Sequence, residues 1–199
     1  MKKIILTVFA ATSLLLYSTP SFALLSVSVG MPVGATVPAK DPDGDPFWDV
    51  DGISGYFIGV QLPFAVGLGV DSHKIGMKDA PKRKLATDVY NIFYQLPIPV
   101  VNLIIGLGTG KQKVECPTCA EGTKYDFTDN DGNYAGTEDV GFKAGSVTQW
   151  YTSIGIPILP LFDIHLSYRS ITSKNIEYGG STKIDYSSTV TGLGFAFNF

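Results

Sequence analysis

The residues with the clearest chemical potential form one short run, His165-Leu166-Ser167. In an extended strand, side chains two apart point to the same face, so His165 and Ser167 share a face with Asp163 and Arg169. A histidine beside a serine is the base–nucleophile pair of acyl hydrolysis, and Glu177, the only later glutamate, is the candidate orienting acid. The same face is also suited to a closed polar network, because interior charges are tolerated when paired. The two expectations oppose each other: a nucleophile acting on lipid must face lipid, whereas a network lies inside.

Cys116-Pro117-Thr118-Cys119 has the spacing of a redox dithiol, but such pairs gain reactivity at a helix start. Here an acidic, glycine-containing segment follows, and in an exported chain so close a pair reads as a local disulfide. No second cysteine pair or nearby histidine completes a zinc tetrad. Segment 115–145 sets Asp129, Asp131, Gly132 and Glu138 at the third, fifth, sixth and twelfth places of a calcium loop. Phe127 stands at the first place, where an oxygen ligand is required, so Asp129, Asp131 and Glu138 are weak calcium candidates in a solvated acidic loop. Asp41, Asp43, Asp45, Asp49 and Asp51 make a second acidic segment. Segment 76–86 is basic, with Lys78, Lys82, Arg83 and Lys84 against Asp79, and such a loop can pair with lipopolysaccharide phosphates. No motif implies a cofactor, and no clustered basic face suits nucleic acid.

The elements that position these residues follow from where charge is missing. Of the 199 residues only 17% are charged, against the roughly one quarter usual in soluble domains. The N-terminus carries Lys2 and Lys3, an apolar run from Ile4 to Leu16 and the small-x-small site Ser21-Phe22-Ala23. This is the pattern of an export signal cleaved after Ala23, leaving 24–199 as one domain. Losing the two lysines takes the formal charge from −3 to −5. Blocks 24–39, 52–70, 89–110, 144–162 and 186–199 contain no charged residue.

Such blocks are long enough for transmembrane helices, but Pro63, Pro97, Pro99, Pro157 and Pro160 interrupt them. A proline inside a helix costs about 3 kcal/mol. On either side of the prolines the residues alternate with period two, as strands do. Tyr56, Ile58, Val60 and Leu62 oppose Gly55, Phe57, Gly59 and Gln61; Tyr90, Ile92, Tyr94 and Leu96 repeat the pattern. Three blocks therefore read as strand, proline turn, strand, with Gln-Leu-Pro recurring at 61–63 and 95–97. Leu25 to Val29 adds a first strand and roughly 184–199 an eighth, with long loops at 32–51, 76–86, 115–145 and 176–183. An even number of strands with short turns at one end and long loops at the other is the plan of an all-β, eight-stranded antiparallel up-and-down transmembrane barrel.

A soluble lipocalin-like barrel would point its large apolar residues inward and carry charge outside. The smaller face here is mostly Gly, Gln, Asn and Ser, which suits a narrow lumen, while Leu, Ile, Val and aromatics on the other face suit lipid. The C-terminus alternates Leu193, Phe195, Phe197 and the final Phe199 with small residues. It resembles the terminal strand by which outer-membrane barrels are recognised by the barrel-assembly machinery. The mature chain as a whole resembles, in architecture, the small barrels of the outer membrane protein A and X type within the porin-like superfamily. That resemblance implies a Gram-negative outer membrane, with lipid and lipopolysaccharide as surroundings.

Three functions follow. The first is a non-enzymatic surface protein whose lumen is plugged by Asp163, His165 and Arg169 with Gln61, Gln95 and Gln149, and whose loops contact lipopolysaccharide or partners. The second is a hydrolase: the outer-membrane lipid A deacylases are similar barrels with His and Ser two apart on a strand. His165 and Ser167 match that spacing, but Tyr168 replaces the usual asparagine and the face points inward. The third is a narrow conduit for small or apolar solutes along the glycine-lined faces of 65–71 and 104–110.

Overall fold

The structure, a computed structural model, describes residues 25–38, 49–62, 66–78, 83–98, 101–116, 121–128, 134–139, 141–159, 161–173, 176–179 and 182–199. Residues 1–23, read in the sequence as an export signal, lie outside them. In chain order the strands are β1 (Ser26–Thr36), β2 (Val50–Gln61), β3 (Gly67–Met77), β4 (Lys84–Ile98), β5 (Val101–Glu115), β6 (Lys124–Thr128), β7 (Tyr134–Asp139), β8 (Phe142–Lys143), β9 (Gly145–Leu159), β10 (Phe162–Thr172), β11 (Ile176–Tyr178), β12 (Thr182–Ile184) and β13 (Ser188–Asn198). Eight of them close an antiparallel barrel in the order β1-β13-β10-β9-β5-β4-β3-β2, each strand paired with its chain neighbours among the eight.

Closure is made by β1 against β13, from Ser26↔Asn198 to Thr36↔Thr189. It is finished by reciprocal backbone bonds between Leu25 and Phe199, 2.8 and 3.2 Å long. A closed sheet leaves no edge amide unpaired, which is what hydrocarbon demands. Leu25 and Phe199 lie at the end of the barrel that carries the tight connections.

Several boundaries differ from the alternation read in the sequence. Strand β1 runs on to Thr36 through Pro32, where the register against β13 shifts between Pro32 and Gly34. Proline inside a sheet is confined to edges and bulges, and this bulge is what lets the strand continue. Pro97 and Pro157 are absorbed into the ends of β4 and β9, opposite Asn102 and Asp163, instead of forming the turns. The expected loop 115–145 holds the hairpin β6–β7 and strand β8, and β8 joins β11 and β12 in a second small sheet.

Period-two alternation sets the faces. Leu68, Ile92, Leu107, Ile154 and Leu166 all point outward and are at least half exposed, forming an apolar band around the barrel. A patch this large is not left in water by a soluble monomer. Leu193, Phe195, Phe197 and Phe199 extend the band along β13. Tyr56, Tyr90, Trp150 and Tyr168 border it on the loop side, where amphipathic rings fit a membrane interface.

Beyond those rings the pattern inverts. Lys74, Lys84, Asp88, Lys111 and Lys113 now point outward, while Ile75, Leu85, Val89, Val114, Val147, Ile171 and Val190 are buried inside. The loop end of the barrel is built like a soluble protein, with its own apolar core. Strands of 15 residues in β4, β5 and β9 have the length for this. A transmembrane strand needs only about 9–11 residues.

Candidate functional site

The barrel interior gathers nearly all the candidate chemistry, and glycine determines how it fits. Phe93 lies over Gly67, where an added Cβ would come within 2.4 Å of the ring. Tyr151 covers Gly106 in the same way at 2.1 Å, and the His165 ring covers Gly155 at 2.3 Å. The glycine faces expected to leave room for a solute are thus the places where rings from neighbouring strands lie.

At mid-barrel the fixed point is Arg169, only 6% exposed. Its Nε donates to Asp71 Oδ2 at 2.9 Å and its Nη1 to Ser167 Oγ. Gln149 Nε2 donates to the same Asp71 oxygen at 2.6 Å and to Asn91 Oδ1 at 2.9 Å. The guanidinium carbon lies 3.4 Å from the centre of the Phe57 ring and 4.9 Å from that of Tyr151. Hydrogen bonds in this one cluster tie together four strands (β3, β4, β9 and β10), and Phe57 brings in β2.

Asp163 belongs to a second cluster near the termini. It accepts hydrogen bonds from Asn102 Nδ2 and, at 2.9 Å, from Asn198 Nδ2, with His165 Nε2 3.9 Å away. The sequence grouped Asp163, His165 and Arg169 as one network, but the structure gives Arg169 a different carboxylate, Asp71. Of the expected glutamines, Gln149 joins the Arg169 cluster, Gln61 is buried in the interior, and Gln95 is half-buried with no part in either cluster. Asp71 was missed because it opens the charged stretch 71–88, which reads as the approach to a loop. Its inward phase, opposite Leu68 and Val70, was the available signal.

His165 and Ser167 do share the interior face, yet they are not paired. Ser167 Oγ donates to the Gly192 carbonyl at 3.2 Å and accepts from Arg169, while His165 Nδ1 lies 3.3 Å from Ser153 Oγ. Glu177 sits in β11, outside the barrel sheet, 3.6 Å from Lys143. A cavity of about 50 Å³ remains beside Ser28, Phe57, Asp71, Tyr151, His165 and Arg169. That is space for a few water molecules and no larger solute.

Towards the loop end, Gln112 donates to Thr87 at 3.0 Å, and His73 is buried with neither ring nitrogen hydrogen-bonded among the described residues, its ring 6.3 Å from that of Phe57. Further out the interior becomes apolar. Ile75, Leu85, Val114, Val147, Ile171 and Val190 pack with Phe142, Ile176 and Tyr186 from the loop segments. Burial pushes the Tyr186 phenol above its ordinary pKa. The ion pair Lys143–Glu177, at 3.6 Å, and the Phe142–Tyr178 ring contact, at 4.9 Å, hold β8 and β11 over this core.

The remaining candidates lie in the loops. Cys116 is disulfide-bonded and packs against the apolar core; the chain has two cysteines, and Cys119 lies outside the described residues. Asp129, Asp131 and Lys82 also lie outside them, and Glu138 falls in β7. Lys78 Nζ is 3.2 Å from Asp49, Arg83 is half-buried, and Lys84 is exposed at the start of β4.

No protein-family model matches the sequence, and no curated protein matches it significantly. Solved structures do match its shape. The crystal structure of Neisserial surface protein A superimposes with a TM-score of 0.56 at 13% identity, covering 88% of this chain and 96% of that one. The solid-state NMR structure of the outer membrane protein AlkL in lipid bilayers superimposes with a TM-score of 0.50 at 12% identity, covering 92% and 93%. The fold is that of the small eight-stranded outer-membrane barrels.

Proposed function

From this fold we propose that the chain is an integral, non-enzymatic protein of a Gram-negative outer membrane, exported by residues 1–23, whose closed barrel displays its loops outside the cell. The termini and tight turns then face the periplasm, and Phe199 ends the strand read by the barrel-assembly machinery. Basic loop 76–86, with Lys78, Lys82, Arg83 and Lys84, contacts lipopolysaccharide.

One observation carries the closed lumen: the interior is occupied at two separate depths. The Asp71–Arg169 cluster fills the middle, and the apolar core around Ile75, Leu85 and Tyr186 fills the loop end. An ion crossing this core would shed its hydration without finding a ligand, at a cost of several kcal/mol or more. Acyl hydrolysis is not favoured, because Ser167 Oγ is engaged by Arg169 and Gly192 and faces away from lipid.

The experiment is planar-bilayer recording with the refolded mature chain. The expected result is no stable conductance above background, and porin-sized steps would overturn the closed-lumen reading. Cell fractionation tests location: the protein should stay with the outer membrane, run faster on gels when unboiled, and begin at Leu24 by mass spectrometry.

A further inference from the structure

Beyond the aromatic ring, the outer wall divides into two sectors of different chemistry. On β9, β10, β13 and β1 the outward positions are hydroxyls: Ser146, Thr148, Thr172, Thr189, Thr191 and Thr36. On β3, β4 and β5 the outward positions also carry charge: Lys74, Lys84, Lys111 and Lys113, with the carboxylates Asp88 and Glu115, stand there alongside Ser72, Ala86 and Thr109. The register fixes this arrangement. Lys74 and Lys113 both stand opposite Ala86, one on each side of β4, and Lys111 stands opposite Asp88. With strands about 4.8 Å apart, the Cα atoms of Lys74 and Lys113 are about 10 Å apart, with only a methyl group between them.

Lys74 and Lys113 reach Glu115 at 2.7 and 2.9 Å. Asp88 accepts from Ser72 at 2.6 Å. Lys84 and Lys111 have no ion-pair partner among the described residues, so four cations face two carboxylates on a rigid strand surface.

Their depth is informative. Lys111 lies four residues past Leu107, and Lys74 four past Val70, the last outward apolar residue of each strand. At about 3.4 Å per residue and a tilt of about 40°, that is about 10 Å beyond the hydrocarbon edge. The polar layer of a bilayer leaflet spans about 5–8 Å, so extended lysine side chains reach its phosphates.

We propose that Lys74, Lys111 and Lys113 form a binding site on the outer wall of β3–β5 for the phosphate groups of an outer-leaflet glycolipid, with Lys84 at its rim. Charge complementarity and depth select this occupant, and the opposite hydroxyl sector has no such site. The assignment rests on the outer-membrane reading above and extends lipid recognition from the basic loop to the strand wall. Glu115 holds two of the lysines in place and competes with the phosphate for them.

The test is native mass spectrometry of the refolded protein in detergent, titrated with phosphorylated lipid A or with the same lipid after phosphate removal. The wild-type protein should prefer the phosphorylated form. At about fivefold per lysine, Lys74→Gln/Lys111→Gln/Lys113→Gln should weaken binding on the order of 100-fold. Glu115→Gln should tighten it several-fold, and Lys183→Gln, at an exposed lysine outside both the wall and the basic loop, should leave it unchanged. The triple Lys→Arg variant should retain binding, which keeps the test decisive if the glutamine variant fails to refold.

Undiminished binding by the glutamine variant, a similar loss with Lys183→Gln, or equal binding of the dephosphorylated lipid would each overturn the site. Full competition by millimolar inorganic phosphate would assign it to free phosphate and overturn the glycolipid. Binding in detergent is read independently of cell fractionation, so failure of the site and failure of the location are separable.

Discussion

Removing the Asp71 carboxylate should destabilise the barrel more than removing any single lipid-facing side chain. In Asp71→Ala the Arg169 guanidinium, 6% exposed, keeps Ser167 and the faces of Phe57 and Tyr151 but loses its one anionic partner among the described residues. Breaking a buried pair from one side costs about 3–5 kcal/mol, because a charge is left uncompensated. The cation–π contacts do not reduce this figure, since they are present before and after. Gln149 keeps Asn91 as an acceptor, so its share of the loss is at most about 1 kcal/mol. An expected loss of about 4 kcal/mol is a large fraction of a typical domain stability of 5–15 kcal/mol.

The assay is equilibrium urea unfolding of protein refolded in lipid vesicles, followed by tryptophan emission, to which Trp150 on the outward face contributes. The same substitution is then measured in an Arg169→Met background. There the buried charge is gone, and hydrophobic replacement of both partners is often neutral or better. A loss below about 1 kcal/mol in the wild-type background, or an equal loss in both backgrounds, would refute the coupling between Asp71 and Arg169.

Other outcomes test other layers of the structure. Ile154→Arg, in the middle of the apolar band, should cost about 2–4 kcal/mol in the vesicle assay, and Ser146→Arg, beyond the aromatic ring, about 0–1 kcal/mol; equal costs would misplace the band. Gly106→Ala puts a Cβ 2.1 Å from the Tyr151 ring and should cost about 1–3 kcal/mol, a loss that disappears in a Tyr151→Ala background if the clash is its cause. Lys74 and Lys113 hold the Glu115 carboxyl below its ordinary pKa, so its stabilisation is complete above the unfolded value of about 4.3 and fades as pH falls through the lower folded value. Wild-type protein should accordingly lose stability relative to Glu115→Gln as pH falls below the unfolded carboxyl value of about 4.3, and parallel curves would exclude the link. Tyr186→Ala should expose segment 173–187 to added protease while leaving the unboiled gel shift intact, because Tyr186 packs over the barrel mouth and pairs in no barrel strand.

The barrel was legible in the sequence because its decisive signal is local. Alternation between Leu or Ile and Gly or Ser requires no knowledge of the partner strand, and it set the outward face of Tyr56–Leu62 and of Tyr90–Leu96 as the structure has them. The interior was less legible because its pairs are remote. Arg169 and Asp71 are 98 residues apart, and Gln149 and Asp71 are 78 apart. Phase alone says that all three point inward, but which carboxylate meets the arginine depends on strand order, tilt and shear. Glycine misled for a related reason. Gly67 and Gly106 look like empty wall in one dimension, and the rings over them, Phe93 and Tyr151, come from other strands.

The inversion of hydrophobic phase at the aromatic ring explains how one set of strands serves two solvents. Below the ring, outward Leu, Ile and Val match hydrocarbon, and the interior must be packed with paired polar groups and aromatic rings. Above it, outward Lys, Ser and Thr match water, and Leu85, Val114, Val147, Ile171 and Val190 form the core. The two halves fix each other's depth. Sliding the barrel inward by two residues per strand moves Lys111 and Lys74 towards the hydrocarbon edge, and sliding it outward exposes the lowest apolar row to water. Both directions are opposed, so the barrel has one favoured height, set by residues on the same strands that close it. A fixed height is what a wall of lysines needs in order to meet a layer of phosphates. It also keeps the apolar core of the mouth outside the bilayer, where β8, β11 and Tyr186 pack over it and the loops are carried on a closed base.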